Sequence, residues 1–155
     1  FPYTTLFRSP AALADDVLGI GVVLTCYALM AWLLGIRDEA AMATHAARGV
    51  LFETWVVGEL VKQRFNAGQP ADVYFWRDSS GNEIDVVFET SEGLQAVEIK
   101  SGSTFASDWT DGVKKWEKFT ADTPTRKPIL IYGGDESHER GACHLVAWRD
   151  IRAIT

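Results

Sequence analysis

The sequence predicts a mixed α/β domain: one mixed central sheet flanked by helices. Three observations predict it. A long apolar stretch with helical character, 50–65, is followed by three strand-like runs at hairpin spacing, 73–78, 83–89 and 94–100. A second helical stretch, 108–120, comes next, and two further strand-like runs, 128–134 and 143–151, close the chain. Helix, three strands, helix, two strands is the pattern of a layered α/β domain. A chain of 155 residues, 47% of them hydrophobic, can bury a real core as one domain.

The N-terminal elements are the least regular. Phe1–Ser9, FPYTTLFRS, resembles the translation of a widely used sequencing-library adapter. It is set aside as an artefact, as any fusion scar would be, and the expectation is that the natural N-terminus lies further upstream. Residues 17–36 run twenty positions without a charge, long enough by length alone to span a membrane. Acidic Asp15-Asp16 before it and Arg37-Asp38 after it set no orientation. The run also divides into a strand-like 20–25 and a short helix, Ala28–Leu34, stopped by Gly35. Burial in a domain is therefore preferred to a membrane span, and 10–47 is expected to be a truncated segment packed on the core.

Residues 40–47 read as helix, interrupted at Arg48-Gly49. From Val50 to Phe65 apolar residues lie almost all round the helix, as in a buried one. On its wheel Glu53 falls between Val57 and Leu60, and Glu59 between Phe52 and Trp55. Both carboxylates therefore sit near apolar surface, which is costly without a partner. Residues 66–70 close the helix, 78–82 (DSSGN) and 91–93 (SEG) make turns, and Asp108 is the expected N-cap of the second helix. Trp109, Trp116 and Phe119, at helical spacing, read as core, and Trp76 as packing beside a turn.

Composition excludes some functions. The net charge of −6 gives no global basic field for nucleic acid. Only 100–127 is mildly basic, with 6 Lys and Arg against 4 Asp and Glu. Cys26 and Cys143 stand far apart without CxxC spacing, which favours a reducing cytoplasm over a disulfide framework or a thiol-rich zinc site. His138, Cys143 and His144 are close in sequence, but strand neighbours 143 and 144 point to opposite faces. No GxxxxGK[ST] pattern occurs, so ATP hydrolysis is not expected of this chain.

One constellation carries chemistry. By strand alternation Glu83, Asp85, Val87 and Glu89 share one face of the second run, with Ile84, Val86 and Phe88 on the other. Glu98 and Lys100 share a face of the third run. If the two strands pair, Asp85, Glu98 and Lys100 form a compact patch that Glu53 or Glu59 can complete. Such carboxylates suit a hard divalent cation that keeps several waters, Mg²⁺ or Mn²⁺. The bland alternative is a solvated hairpin face with a surface ion pair worth about 0–1 kcal/mol.

The spacing Asp85-x12-Glu98-x-Lys100 resembles the PD-(D/E)xK signature of restriction-endonuclease-like nucleases, and the element order resembles their αβββαβ core. More narrowly, GVLFETWVVGELVKQ (49–63), YFWRDSSGNEIDVVFE (74–89) and LQAVEIKSGS (94–103), with WLLGI (32–36) and PILIYGG (128–134), resemble the uncharacterised domain that follows the AAA-type ATPase domain in many prokaryotic ATPases. The resemblance implies a nuclease-like domain over 48–155, with Asp85 and Glu98 as metal ligands, Lys100 as catalytic lysine, and Glu53 as the helix carboxylate with Glu59 competing. It further implies Mg²⁺ or Mn²⁺ as cofactor, DNA as substrate, and an upstream AAA-type ATPase domain as partner. The implied activity is phosphodiester hydrolysis, with a catalytically inactive DNA- or protein-binding regulatory module as the alternative. Cys26-Tyr27-Ala28-Leu29 departs from the Asp-Thr-Gly-Leu-like segment usual before the LLGI element.

Overall fold

The computed structural model describes residues 7–8, 27–70 and 72–154. The strand expected over 20–25, Cys26 and the rest of the apolar run before Tyr27 lie outside the described residues. Helix α1 covers 27–33 and ends at Gly35, whose φ of 74° is a left-handed conformation that glycine adopts without strain. Helix α2, Glu39–Thr44, is capped by Asp38, whose Oδ1 accepts the Ala41 amide at 2.8 Å. Arg48 and Gly49 do not interrupt a helix; they open helix α3, Arg48–Asn66. The break falls earlier, where His45 leaves helical conformation.

Strands β1 (Phe7–Arg8), β2 (Val73–Arg77), β3 (Glu83–Thr90), β4 (Gly93–Lys100), β5 (Ile129–Tyr132), β6 (His138–Arg140) and β7 (Cys143–Ala147) form one sheet in the order β1-β2-β3-β4-β5-β7-β6. The six strands from Val73 onward make the body of the sheet, and the two-residue β1 pairs on the edge of β2. Pairing is antiparallel except for β4–β5 and β5–β7, which are parallel. The sheet is therefore mixed, as expected. Short β6 was not expected; HER carries no apolar alternation, and all three residues are exposed.

Each face of the sheet has its own core. Val56, Leu60 and Val61 of α3 pack on Val86, Phe88, Val97, Ile99, Ile129, Ile131 and Val146. On the other face Val113 and Trp116 of helix α4, Asp111–Phe119, pack on Trp76, Ile84, Val87 and Ala96. Leu130, Tyr132, Cys143 and Leu145 extend that second face under Phe105 and Trp109. Burying side chains of this size stabilises the fold by about 1.5–3 kcal/mol each.

Three local expectations are corrected. Asp108 does not cap α4: it lies inside a 3₁₀ turn, Ser107–Thr110, and the N-cap is Thr110, whose hydroxyl donates back to the Ser107 carbonyl at 3.0 Å and caps no helix amide. The last strand stops at Ala147, and 148–153 form a 3₁₀ helix that sets Trp148 edge-on to Trp55 with centroids 5.7 Å apart. Phe119 is 47% exposed, a lid on Trp76 and Trp116 rather than core. Among the described residues no helix is long and apolar enough to cross a membrane.

The most consequential irregularity is in β3. Tyr74 pairs with Val87 and Trp76 with Ile84, so Phe75 alone stands opposite Asp85 and Val86. The extra residue is a β-bulge on β3. It reverses the alternation: Ile84 joins Val87 in the core under α4, while Val86 and Phe88 face α3. The expectation that Ile84 shares a face with Val86 and Phe88 is overturned by this one residue.

Candidate functional site

The regular β3–β4 ladder runs from Thr90↔Gly93 to Val86↔Val97. One step beyond it, at the bulge, Asp85 turns its carboxylate across the gap and Oδ2 accepts the Ile99 amide at 2.7 Å. A side chain thus takes an amide of β4 where the ladder ends. Burial raises the Asp85 pKa above the usual carboxylate range, against the Ile99 hydrogen bond and the Lys100 charge.

Glu98 is held on the interior strand β4, between β3 and the parallel β5, and only 5% of its surface is exposed. Its two oxygens have different environments. Oε1 accepts from Lys100 Nζ at 2.5 Å, while Oε2 is buried with no hydrogen-bond partner. Burial, with the nearby Asp85 charge, pushes its pKa up to about 7, and Lys100 works in the opposite direction. For Lys100 burial disfavours the ammonium, but the Glu98 hydrogen bond and the charges of Glu98, Asp85 and Glu83 outweigh it and leave the pKa raised.

The two helix carboxylates separate. Glu53 is exposed as a residue, yet partial burial of its carboxyl, then repulsion from Asp85 and Glu83, raises its pKa, with Lys100 opposing. Glu53 therefore lies within the field of the β3–β4 group. Glu59 lies elsewhere: it pairs with Lys62 one turn on, in a cleft shared with Arg152. The structure brings together Asp85, Glu98 and Lys100, sets Glu53 within reach of the Asp85 and Lys100 charges, and leaves Glu59 out.

Two participants were missed. Glu83 raises the pKa of Glu53, Asp85 and Glu98 alike, while its own carboxylate faces Arg77 at 3.9 Å. Its position two residues before Asp85 was the available signal. The second is Gly112 in the first turn of α4, which lies against Glu98; nothing in the sequence pointed to it.

The site stands at the carboxyl end of β4. A cleft of about 870 Å³ is at the other end of the parallel strands, lined by Gln95, Ile129 and His144. A cleft of about 380 Å³ lined by Phe52, Trp55, Ser101 and Trp148 begins just past Lys100. His138, Cys143 and His144 do not converge: Cys143 is buried and bonds the Arg140 carbonyl, while His144 pairs with Glu139 at the surface. Among the described residues no three His, Cys, Asp or Glu side chains are grouped as a ready-made metal cage.

The donor set nevertheless fits a hard cation. Burial, helped by Glu83 for Asp85 and by Asp85 for Glu98, holds both carboxyls toward their neutral forms, and Glu98 Oε2 is orphaned. A divalent ion would relieve both penalties, and an ion such as Mg²⁺ needs only one or two carboxylates besides its waters.

The sequence profile of the family described as "Domain of unknown function (DUF4143)" matches residues 48–151. No curated protein and no solved structure matches the chain.

Proposed function

From a chain that belongs to the DUF4143 family, we propose a metal-dependent phosphodiesterase site of the PD-(D/E)xK type, on a restriction-endonuclease-like core, acting on DNA. The observation that carries the reading is the convergence of Asp85, Glu98 and Lys100 where β3 and β4 part. Domains of this family are generally found with AAA-type ATPases, so the domain acts as an accessory of such an ATPase. A cytoplasmic setting suits its buried free thiol, Cys143.

Asp85 and Glu98 Oε2 would hold Mg²⁺ or Mn²⁺, which when bound acidifies water and neutralises charge on the phosphate. The chain's own residues do the rest. The Ile99 amide fixes the Asp85 rotamer through Oδ2 and leaves Oδ1 to face the ligand. Lys100 Nζ holds Glu98 by Oε1, so that Oε2 is the oxygen presented. Once Glu98 binds a cation, the Lys100 ammonium becomes available to orient the attacking water or steady a phosphate oxygen. Glu53, with its raised pKa, is suited to take a proton from that water.

A second reading has its own support. Lys100 already neutralises Glu98 internally, and a site that balances its own charge can serve a non-catalytic DNA- or protein-binding module. Calorimetric titration with Mn²⁺ of wild type, Asp85→Asn and Glu98→Gln, followed by a DNA cleavage assay, separates the two. Binding lost in both variants together with Mn²⁺-dependent cleavage supports the nuclease. Equal heats in all three proteins would overturn the metal site and leave the binding module.

A further inference from the structure

Helix α4 begins at Asp111 and carries glycine at its second position. Glycine there costs about 1 kcal/mol of helix stability against alanine. Backbone conformation does not demand it, because Gly112 is not among the residues with positive φ. Space does. A Cβ at Gly112 would stand 2.7 Å from the Glu83 carbonyl oxygen and 3.5 Å from Glu98 Oε2. The first distance is far inside van der Waals contact, and the obstacle is β3 backbone, which cannot swing away as a flexible side chain can. The second would be ordinary van der Waals contact, so the first turn of α4 stands close beside the carboxylate.

These contacts fall on both sides of the parting strands. Glu83 lies two residues before Asp85 on β3, and Glu98 lies on β4. The first turn of α4 thus bears on the two strands that carry the candidate ligands. The buried, unpartnered Oε2 of Glu98 gives this contact a meaning beyond packing. Lys100 tethers the carboxylate by Oε1 alone, so the side on which Oε2 lies depends on the shape of the wall beside it.

We infer that Gly112 is a positioning residue for the site: its bare backbone lets α4 seat against Glu83 and Glu98 and so holds Oε2 facing the position of a bound cation. Any side chain at 112 lifts the first turn of α4 or displaces β3, and the distance between Asp85 and Glu98 changes with it. This inference rests on the proposed reading of the site for its ligand, and on the Gly112 contacts alone for its geometry.

Three proteins test it: wild type, Gly112→Ala, and Val113→Ala. The last removes a buried side chain from the same helix, one packed in the core of Trp76, Ile84, Val87 and Ala96, and loses stability there. Mn²⁺ affinity is measured by calorimetry, and the ¹³C shift of the Glu98 carboxyl by NMR at fixed pH. Gly112→Ala is expected to weaken Mn²⁺ binding about 10-fold or more, in the range seen when groups supporting metal ligands are altered, and to move the Glu98 resonance. Val113→Ala is expected to lower Tm and leave both readings in place. Unchanged readings in Gly112→Ala, or equal changes in Val113→Ala, would overturn the inference. If the wild type binds no Mn²⁺, the metal reading fails, and the Glu98 resonance still decides whether Gly112 positions it. If Gly112→Ala does not fold, a nuclear Overhauser contact between Gly112 Hα and Glu98 Hγ in wild type decides. Its presence supports the placement and its absence overturns it.

Discussion

At the residue scale Glu98 determines how the site responds to pH. Burial, and then Asp85, hold its carboxyl at a pKa of about 7 in the fold, against an ordinary value of 4.5. The folded chain thus holds a proton that the unfolded chain has already lost. The stability attached to that proton is complete below about pH 4.5 and is lost as pH rises through about 7. Urea unfolding of Glu98→Gln is therefore expected to show a flatter pH profile over that window, with the variant gaining on wild type toward pH 8. A parallel profile for both proteins would contradict the assignment. Cation binding runs in the opposite direction, since a carboxylate must lose its proton to act as a ligand.

At the element scale the β3–β4 hairpin depends on one glycine. Gly93 has φ of +125°, and a Cβ there would meet the Pro124 carbonyl oxygen at 2.3 Å. That carbonyl accepts the Leu94 amide at 2.9 Å, tying the hairpin to the segment that leads into β5. Gly93→Ala combines backbone strain with a steric conflict, and is expected to cost about 2–4 kcal/mol, read as a fall in the urea midpoint. The Ser-Glu-Gly turn was legible because its residue types are those that turns require. So was α3 as a helix, though not its burial: Val50 is 66% exposed, and only one side of the helix lies in the core. The bulge was not. EIDVVFE alternates without interruption, and only the opposing strand, with Phe75 facing two residues, reveals the offset. The end of β7 was equally hidden, because Trp148 leaves the strand for a contact with Trp55, ninety-three positions earlier in the chain.

At the scale of the whole molecule, Asp85, Glu98 and Lys100 could be grouped from strand spacing alone. The choice between Glu53 and Glu59 could not. A helical wheel gives the direction of a side chain but not which end of the helix reaches the parting strands, and that is set by how α3 crosses the sheet. The surface carries a second feature, a row of exposed apolar residues on α1: Leu29 at 50%, Trp32 at 59% and Leu33 at 68%. Patches of this kind promote association. Trp32→Ser combined with Leu33→Ser is expected to lower the apparent mass of the concentrated protein in light scattering and to leave Tm within about 1 °C, since neither side chain contributes to the core.

The bulge on β3 has a genetic consequence. Loss of the single codon for Asp85 would remove the offset and give the sheet a more regular ladder. Ile84, Val86 and Val87 would keep the faces they now occupy, so both apolar cores would survive. Yet the carboxylate at the parting of the strands would be gone. Such alleles would pass any screen based on abundance or solubility and fail only one that reads the site itself.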